Sequence, residues 1–164
     1  MTNPSSPILL EQQVGSWLIE AGYTLATAES CTGGLIANRL TNISGASGYF
    51  LGGVVAYSNA LKEALLGVPA DILQHHGAVS RECAYAMAAG IKSLINADFG
   101  LAVTGIAGPT GGSLEKPVGL VYIAVSTEKE IAVVERQFSG DRNEIKAQTA
   151  EAALNLLLEQ FERL

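Results

Sequence analysis

The sequence has few cysteines, few aromatic residues and few basic residues. Its two cysteines, Cys31 and Cys83, cannot form a disulfide framework or a four-ligand zinc site, so we expect reduced thiols and no metal centre. Ten Lys and Arg residues stand against sixteen Asp and Glu residues, for a formal net charge of -6. Because the ten basic residues are scattered along the chain, the sequence argues against a nucleic-acid partner.

Long apolar runs are also missing, although 48% of the residues are hydrophobic. No uninterrupted stretch approaches the roughly 20 apolar residues that a spanning helix needs, and residues 1–6 lack the basic and apolar regions of a signal peptide. We therefore expect no membrane partner, a cytoplasmic location and one domain over residues 1–164. The high apolar fraction also predicts a homo-oligomer, a dimer or larger, in which a second subunit covers an apolar face.

The spacing of the apolar residues predicts alternating helices and strands. Helices are expected over 8–20, 35–40, 59–66, 69–74, 80–95 and 141–164, and strands over 24–28, 50–57, 99–104, 118–127 and 131–138. The last two strands read as an antiparallel hairpin. This order predicts an α/β fold, a three-layer α/β/α sandwich with a mixed sheet of about five strands. The strand order cannot be read from the sequence.

Three loops rich in hydroxyl, amine and glycine groups each follow a strand-like run. They are Glu-Ser-Cys-Thr-Gly-Gly at 29–34, Tyr-Ser-Asn-Ala-Leu-Lys at 57–62 and Thr-Gly-Ile-Ala-Gly-Pro at 104–109. The carboxyl ends of parallel strands share one edge of an open sheet, and ligands bind in the crevice along it. We therefore expect the three loops to form one site.

Ser30 and Lys62 are the candidate catalytic residues. Ser30 lies where a strand gives way to a glycine-rich turn and a helix, so its hydroxyl is expected beside unpaired amides. If Asn59 caps the next helix, Lys62 is its third residue, where the helix dipole disfavours an ammonium ion. A lysine held neutral in a dry cleft can accept a proton from a serine. The alternatives are that Ser30 or Thr32 only caps a helix and that Lys62 is solvated.

Two other residues, Ser47 and Cys31, are candidate nucleophiles in place of Ser30. Ser47 precedes the second strand and is expected at the opposite edge of the sheet unless its loop folds over. Cys31, at a helix amino terminus, is expected to have a lowered thiol pKa.

Two further segments suggest ligand binding. The loop at 105–117 contains four glycines and two prolines, and long loops in compact domains are usually functional. Its amides, starting at Gly105, can bind an anion beside the Thr104 hydroxyl, although it matches neither a Walker loop nor a dinucleotide fingerprint. Arg142 places a cation in the first turn of the last helix, which suits an anionic ligand, the alternative being a surface ion pair.

From about residue 11 onward the chain resembles the CinA carboxy-terminal domain family, the nicotinamide mononucleotide amidases. The resemblance is carried by TAESCTGG at 27–34, YSNALK at 57–62, HGAVS at 76–80, TGIAGP at 104–109, KPVG at 116–119 and FSGDR at 138–142. Some relatives carry an additional amino-terminal domain associated with dinucleotide pyrophosphatase activity. This chain has no room for that domain, so that activity is not expected here.

The resemblance implies hydrolysis of the carboxamide of nicotinamide mononucleotide to nicotinic acid mononucleotide and ammonia, in pyridine-nucleotide recycling. It implies no metal and no organic cofactor, and a small nucleotide as the partner. It implies a serine and lysine pair at Ser30 and Lys62, with Ser47 as the competing serine. The implied substrate-binding residues are Thr32, Gly33, Tyr57, Thr104, Gly105 and Arg142. The alternatives are a non-catalytic competence- or damage-associated regulatory module and an amidase of another small carboxamide.

Overall fold

A computed structural model of the protein describes residues 7–164. The helices are α1 (Leu10–Ala21), α2 (Leu35–Thr41), α3 (Asn59–Ala64), α4 (Ala70–His75), α5 (Arg81–Ile95) and α6 (Arg142–Phe161), with a 3-10 turn at Ala46–Gly48. The strands are β1 (Leu25–Glu29), β2 (Phe50–Val55), β3 (Phe99–Gly105), β4 (Leu120–Ser126) and β5 (Ile131–Gln137). Each predicted element is present, and its bounds differ by a few residues at most.

The strands form one mixed sheet in the order β2-β1-β3-β4-β5. β1 pairs in parallel with both β2 and β3, whereas β3, β4 and β5 pair antiparallel. The predicted hairpin is therefore β4-β5. Because β2 and β3 lie on opposite sides of β1, the chain reverses its winding there, and the carboxyl ends of the three parallel strands share one edge.

Helices cover both faces of the sheet, which confirms the three-layer α/β/α sandwich. One core cluster joins α1, α2 and α6 to the sheet, and it includes Leu18, Ile36 and Leu157. The other joins α5 and the segment before it to the opposite face, and it includes Leu66 and Met87. In residues 7–164 no helix is long and apolar enough to cross a bilayer.

The start of α3 differs by one residue from the prediction. Ser58, not Asn59, is the N-cap, and its hydroxyl accepts a hydrogen bond from the Leu61 amide at 3.2 Å. Both residue types cap helices well, so the sequence does not distinguish them. Lys62 is consequently the fourth helical residue rather than the third. Its distance from the first turn weakens the helix-dipole argument for a neutral amine.

Candidate active site

The site is built where β1 ends. The Ser30 amide donates a hydrogen bond to the Val103 carbonyl of β3 at 3.2 Å, and the Ala56 amide, just after β2, donates to the Glu29 carbonyl at 2.8 Å. These two bonds extend the sheet by one residue on each side of β1. The three predicted loops therefore leave the sheet side by side, with the Ser30 side chain between the other two.

Lys62 reaches Ser30 from α3. Its Nζ atom lies 3.1 Å from Ser30 Oγ and donates a hydrogen bond to the Ala56 carbonyl at 2.8 Å. The two side chains are 32 residues apart in the sequence. Lys62 is only 1% exposed and Ser30 is 8% exposed, so the pair is shielded from water yet lies in direct contact.

The surroundings of Lys62 favour its neutral form. Burial lowers the pKa of the amine, and the neighbouring thiols of Cys83 and Cys31 oppose that shift. Both hydrogen-bond partners of Nζ are uncharged, and no carboxylate pairs with it in residues 7–164. Desolvation without a counterion is the condition under which a lysine becomes a base near neutral pH.

A buried carboxylate holds the turn that carries Ser30. Glu29 is 1% exposed, and it accepts hydrogen bonds from the Thr32 hydroxyl at 2.6 Å and from the amides of Ile36 and Ala37 at 2.9 and 3.0 Å. Those amides belong to the first turn of α2, whose N-cap, Gly34, has no side chain to cap it. Glu29 thus caps α2 from the preceding strand and fixes the Ser30 turn between them.

Replacing Thr32 by valine should loosen this turn. The change removes one charge-assisted bond to a buried carboxylate, which typically costs about 1–3 kcal/mol. For a chain of this size that lowers Tm by roughly 2–12 °C. Thermal unfolding measures the loss, and Thr32→Ser, which retains the hydroxyl, is the matched control. Equal Tm values for the two variants would show that the Thr32 bond does not support the turn.

Ser30 and Lys62 line a pocket of about 200 Å³. The lining consists of Ser30, Cys31, Tyr57, Asn59, Lys62, Ala78, Val79, Thr104, Gly105, Ala107 and Arg142. Of these, Asn59, Ala78, Val79 and Ala107 were not predicted as site residues, although all four lie in the motifs at 57–62, 76–80 and 104–109. The pocket combines hydroxyl, amine and guanidinium groups in one small hollow.

The third loop, at 104–109, forms one wall of the pocket. The Thr104 hydroxyl donates to the Ala78 carbonyl at 2.7 Å, which closes the wall on the side of α5. A Cβ at Gly105 would lie 2.6 Å from Val121 Cγ2 and 2.8 Å from the Leu120 carbonyl oxygen. Glycine is therefore needed for β4 to pack against this end of β3. Both residues face the pocket, but the Thr104 hydroxyl is already used by the protein.

Arg142 and Tyr57 lie at the mouth of the pocket. The guanidinium donates to the Gly108 carbonyl at 2.6 Å and to the Tyr57 hydroxyl at 3.0 Å. Tyr57 is 62% exposed, so its ring presents a face to solvent beside the opening. Neither partner carries a charge, and in residues 7–164 Arg142 forms no ion pair. The surface ion pair considered as the alternative for Arg142 is not observed.

Cys31 does not have the properties of an activated thiol. Burial raises its pKa to about 12, and the Glu29 charge acts in the same direction, against the smaller opposing effects of the local backbone, Lys62 and Lys146. The expected lowering at a helix amino terminus is therefore wrong, because the side chain is 6% exposed and desolvation dominates. Cys31 lines the pocket as a neutral thiol.

Three other predicted positions lie outside the pocket lining. The Thr32 hydroxyl is buried against Glu29 and is not available to a ligand. Gly33 lies in the turn before α2 with a positive φ of 62°. Ser47 lies exposed in the 3-10 turn that precedes β2, at the opposite edge of the sheet. The structure therefore does not bring Ser47 together with Lys62, and the Thr32 hydroxyl holds the turn rather than a ligand.

The turn also leaves donors free next to Ser30. The amides of Cys31 and Thr32 have no backbone acceptor in the described part of the chain. Amides placed directly after a nucleophile are suited to an oxyanion that forms on the carbon under attack. Among residues 7–164, no group of three His, Cys, Asp or Glu side chains is arranged to hold a metal ion.

The fold and the site define a class: an α/β/α protein with a buried serine and lysine pair at the carboxyl edge of its parallel strands. The chain belongs to the CinA C-terminal domain family, which matches residues 8–161. It is 53% identical over 148 residues to a CinA-like protein of Koribacter versatilis and 55% identical over 147 residues to a putative competence-damage inducible protein of Desulforamulus reducens. Each match covers 90% of this chain and 36% of the relative, so the chain spans about a third of their length.

Solved structures match over nearly their whole length. The competence/damage inducible protein CihA of Agrobacterium tumefaciens is 43% identical, with a TM-score of 0.90 and coverage of 92% of both chains. A CinA superfamily protein of Klebsiella pneumoniae is 36% identical, with a TM-score of 0.91 and coverage of 94% of this chain and 97% of the other. Family membership, expected from the motifs, and the fold, expected from the order of helices and strands, are confirmed.

Proposed function

We propose that the protein hydrolyses the carboxamide of nicotinamide mononucleotide, releasing ammonia and nicotinic acid mononucleotide. The observation that carries the proposal is the 3.1 Å contact between Lys62 Nζ and Ser30 Oγ inside a shielded pocket. A neutral lysine touching a serine supplies the general base and the nucleophile of an amidase. The choice of substrate rests on the resemblance to the family.

Acylation uses the two side chains in turn. The Ser30 proton passes to Lys62 as Ser30 Oγ bonds to the amide carbon, and the carbonyl electron pair moves to oxygen. The free amides of Cys31 and Thr32 then stabilise the oxyanion. When the tetrahedral intermediate collapses, the C–N bond breaks and the Lys62 ammonium gives its proton to the leaving nitrogen. Ammonia departs, and an ester to Ser30 remains.

Deacylation repeats the cycle with water. Neutral Lys62 takes a proton from water as the oxygen attacks the ester carbon, and the ammonium then returns that proton to Ser30 Oγ. The ester bond breaks and leaves a carboxylic acid, which gives its proton to solvent water and departs as its carboxylate. The positive charge of the substrate's pyridinium ring disfavours a second positive charge on Lys62. It therefore supports the same neutral state that burial favours.

The test is a comparison of carboxamides with the purified chain. Nicotinamide mononucleotide, its riboside and free nicotinamide are incubated separately, and ammonia is followed together with the acid product by chromatography. We expect turnover of the mononucleotide and none by Ser30→Ala. Release from a different carboxamide would assign another substrate. No release from any of them would contradict the amidase and favour the non-catalytic module. The cytoplasmic location and the self-association remain predictions.

A further inference from the structure

The first two turns of α6 carry two basic residues on one face beside the pocket. Arg142 and Lys146 are four residues apart in this helix, so their side chains are neighbours on its surface. Arg142 lines the pocket, and the sequence predicted it as a binding residue. Lys146 was not predicted as a site residue. We propose that Lys146 is a specificity-determining residue that, together with Arg142, selects substrates bearing a phosphate monoester. The proposal rests on the proposed function.

The Lys146 amine lies over the turn that carries the nucleophile. Its Nζ atom is 3.8 Å from the position that a Cβ would take on Gly33. Its charge also reaches the Cys31 thiol, where it opposes the dominant effect of burial on that pKa. The ammonium thus lies beside Gly33, in the turn that also carries the pocket residue Cys31, whereas Arg142 itself lines the pocket. The absence of a side chain at Gly33 leaves this approach open.

Neither cation is neutralised by the protein. Although the chain has a net charge of -6, the ion pairs in residues 7–164 involve Arg39 and His76 rather than Arg142 or Lys146. Arg142 donates only to neutral oxygens, and Lys146 Nζ donates to no protein atom in the same part of the chain. A pair of cations without carboxylate partners matches the charge of a phosphate dianion.

The chemistry of the substrate fits this placement. The pyridinium ring and the ribose separate the carboxamide of the mononucleotide from its phosphate. A substrate with its carboxamide at Ser30 therefore directs its phosphate away from that residue, toward the mouth. Arg142 is exposed there, and Lys146 is half-buried. The uncharged ribose hydroxyl of the riboside can accept only an ordinary hydrogen bond at these positions, without the attraction between opposite charges. Lys146 should therefore discriminate between the mononucleotide and its riboside.

The test replaces Lys146 by glutamine and compares both substrates. We expect KM for the mononucleotide to rise about 10- to 100-fold with kcat nearly unchanged, because one charge-assisted contact is lost in ground state and transition state alike. The riboside should be hydrolysed as by the parent protein. The control is Lys92→Gln, since Lys92 is also half-exposed but lies on α5 beside a hollow at the opposite end of β3. Lys146→Arg, which retains the charge, should restore most of the affinity.

A binding measurement separates this proposal from the amidase itself. Calorimetry with ribose 5-phosphate, which has no carboxamide, reports on the phosphate site alone. Weaker binding by Lys146→Gln than by Lys92→Gln supports the inference even if no carboxamide is hydrolysed. An unchanged KM for the mononucleotide overturns it while leaving the amidase intact. Where no hydrolysis occurs, equal binding of ribose 5-phosphate by the two variants, or no binding at all, overturns it.

Discussion

Replacing Lys62 by methionine is expected to lower kcat/KM for amide hydrolysis by about 10⁴-fold or more while the protein stays folded. Methionine retains an unbranched apolar stem in the buried position but has no proton acceptor for Ser30. Removing the desolvated amine stabilises the folded protein, because an amine no longer has to be buried. Leaving the Ala56 carbonyl without its hydrogen-bond donor destabilises the folded protein. Since these effects oppose each other, we expect a Tm change of only a few degrees.

The pH dependence follows from the lowered pKa of Lys62. Its amine is a base only when neutral, so turnover should rise with pH through a pKa that lies below the ordinary value of 10.5. Protonation is harder in the folded state than in the unfolded chain, so the amine costs stability below its folded pKa. That cost disappears as pH rises through the lowered pKa toward 10.5. Lys62→Met should lose both dependences.

Two outcomes bear on this interpretation of Lys62. Lys62→Arg keeps a cation that does not give up its proton, so it should be as inactive as Lys62→Met. Rates of hydrolysis and thermal unfolding are measured for both variants between about pH 5 and pH 10, from roughly two units below neutrality to roughly three above it. Activity within tenfold of the parent in either variant would remove Lys62 as the base.

Local patterns predicted the elements because each depends on near neighbours in the sequence. The alternation of apolar residues marks β4 and β5, and Ser80 caps α5 through its hydroxyl as its position suggested. Strand order is different in kind, since β1 pairs with β3 across about 70 intervening residues. No local signal distinguishes that partner from the others.

The site was predicted in outline for a topological reason. Loops that follow parallel strands meet at one edge, so Ser30 and Lys62 were expected together and lie in contact. The burial of Lys62 and Cys31 depends on what packs over them, which the sequence does not state. The lowered pKa assigned to Cys31 from its helix terminus alone was wrong, because desolvation is the larger effect.

Contacts between distant segments explain what else was missed. Glu29 was read as the first residue of a motif, yet it receives the bonds that hold the Ser30 turn. Tyr57 and Arg142 are 85 residues apart, and only the folded chain shows that their side chains meet. In each case the partner is chosen by the packing of α2 or α6 on the sheet.

The backbone of α5 closely approaches the segment that follows α3. A Cβ on Gly90 would lie 1.8 Å from the Leu66 carbonyl oxygen and 2.7 Å from the Leu66 carbonyl carbon. Alanine normally stabilises a helix by about 1 kcal/mol relative to glycine. Here a backbone clash opposes that gain, because the obstacle is not a flexible side chain. We expect Gly90→Ala to destabilise the protein by about 3–5 kcal/mol, or roughly 6–20 °C in Tm.

The same change should also lower activity, because Leu66 follows the helix that carries Lys62. The Val68 amide donates to the Lys62 carbonyl at 3.0 Å, so displacement of this segment is transmitted to α3. Gly48→Ala is the control: its added Cβ meets only Ile19 Cγ1, at 3.9 Å, and its φ is not positive. That variant should unfold within about 2 °C of the parent. If Gly90→Ala unfolded at the same temperature as Gly48→Ala, the close approach would not be what sets the position of α3.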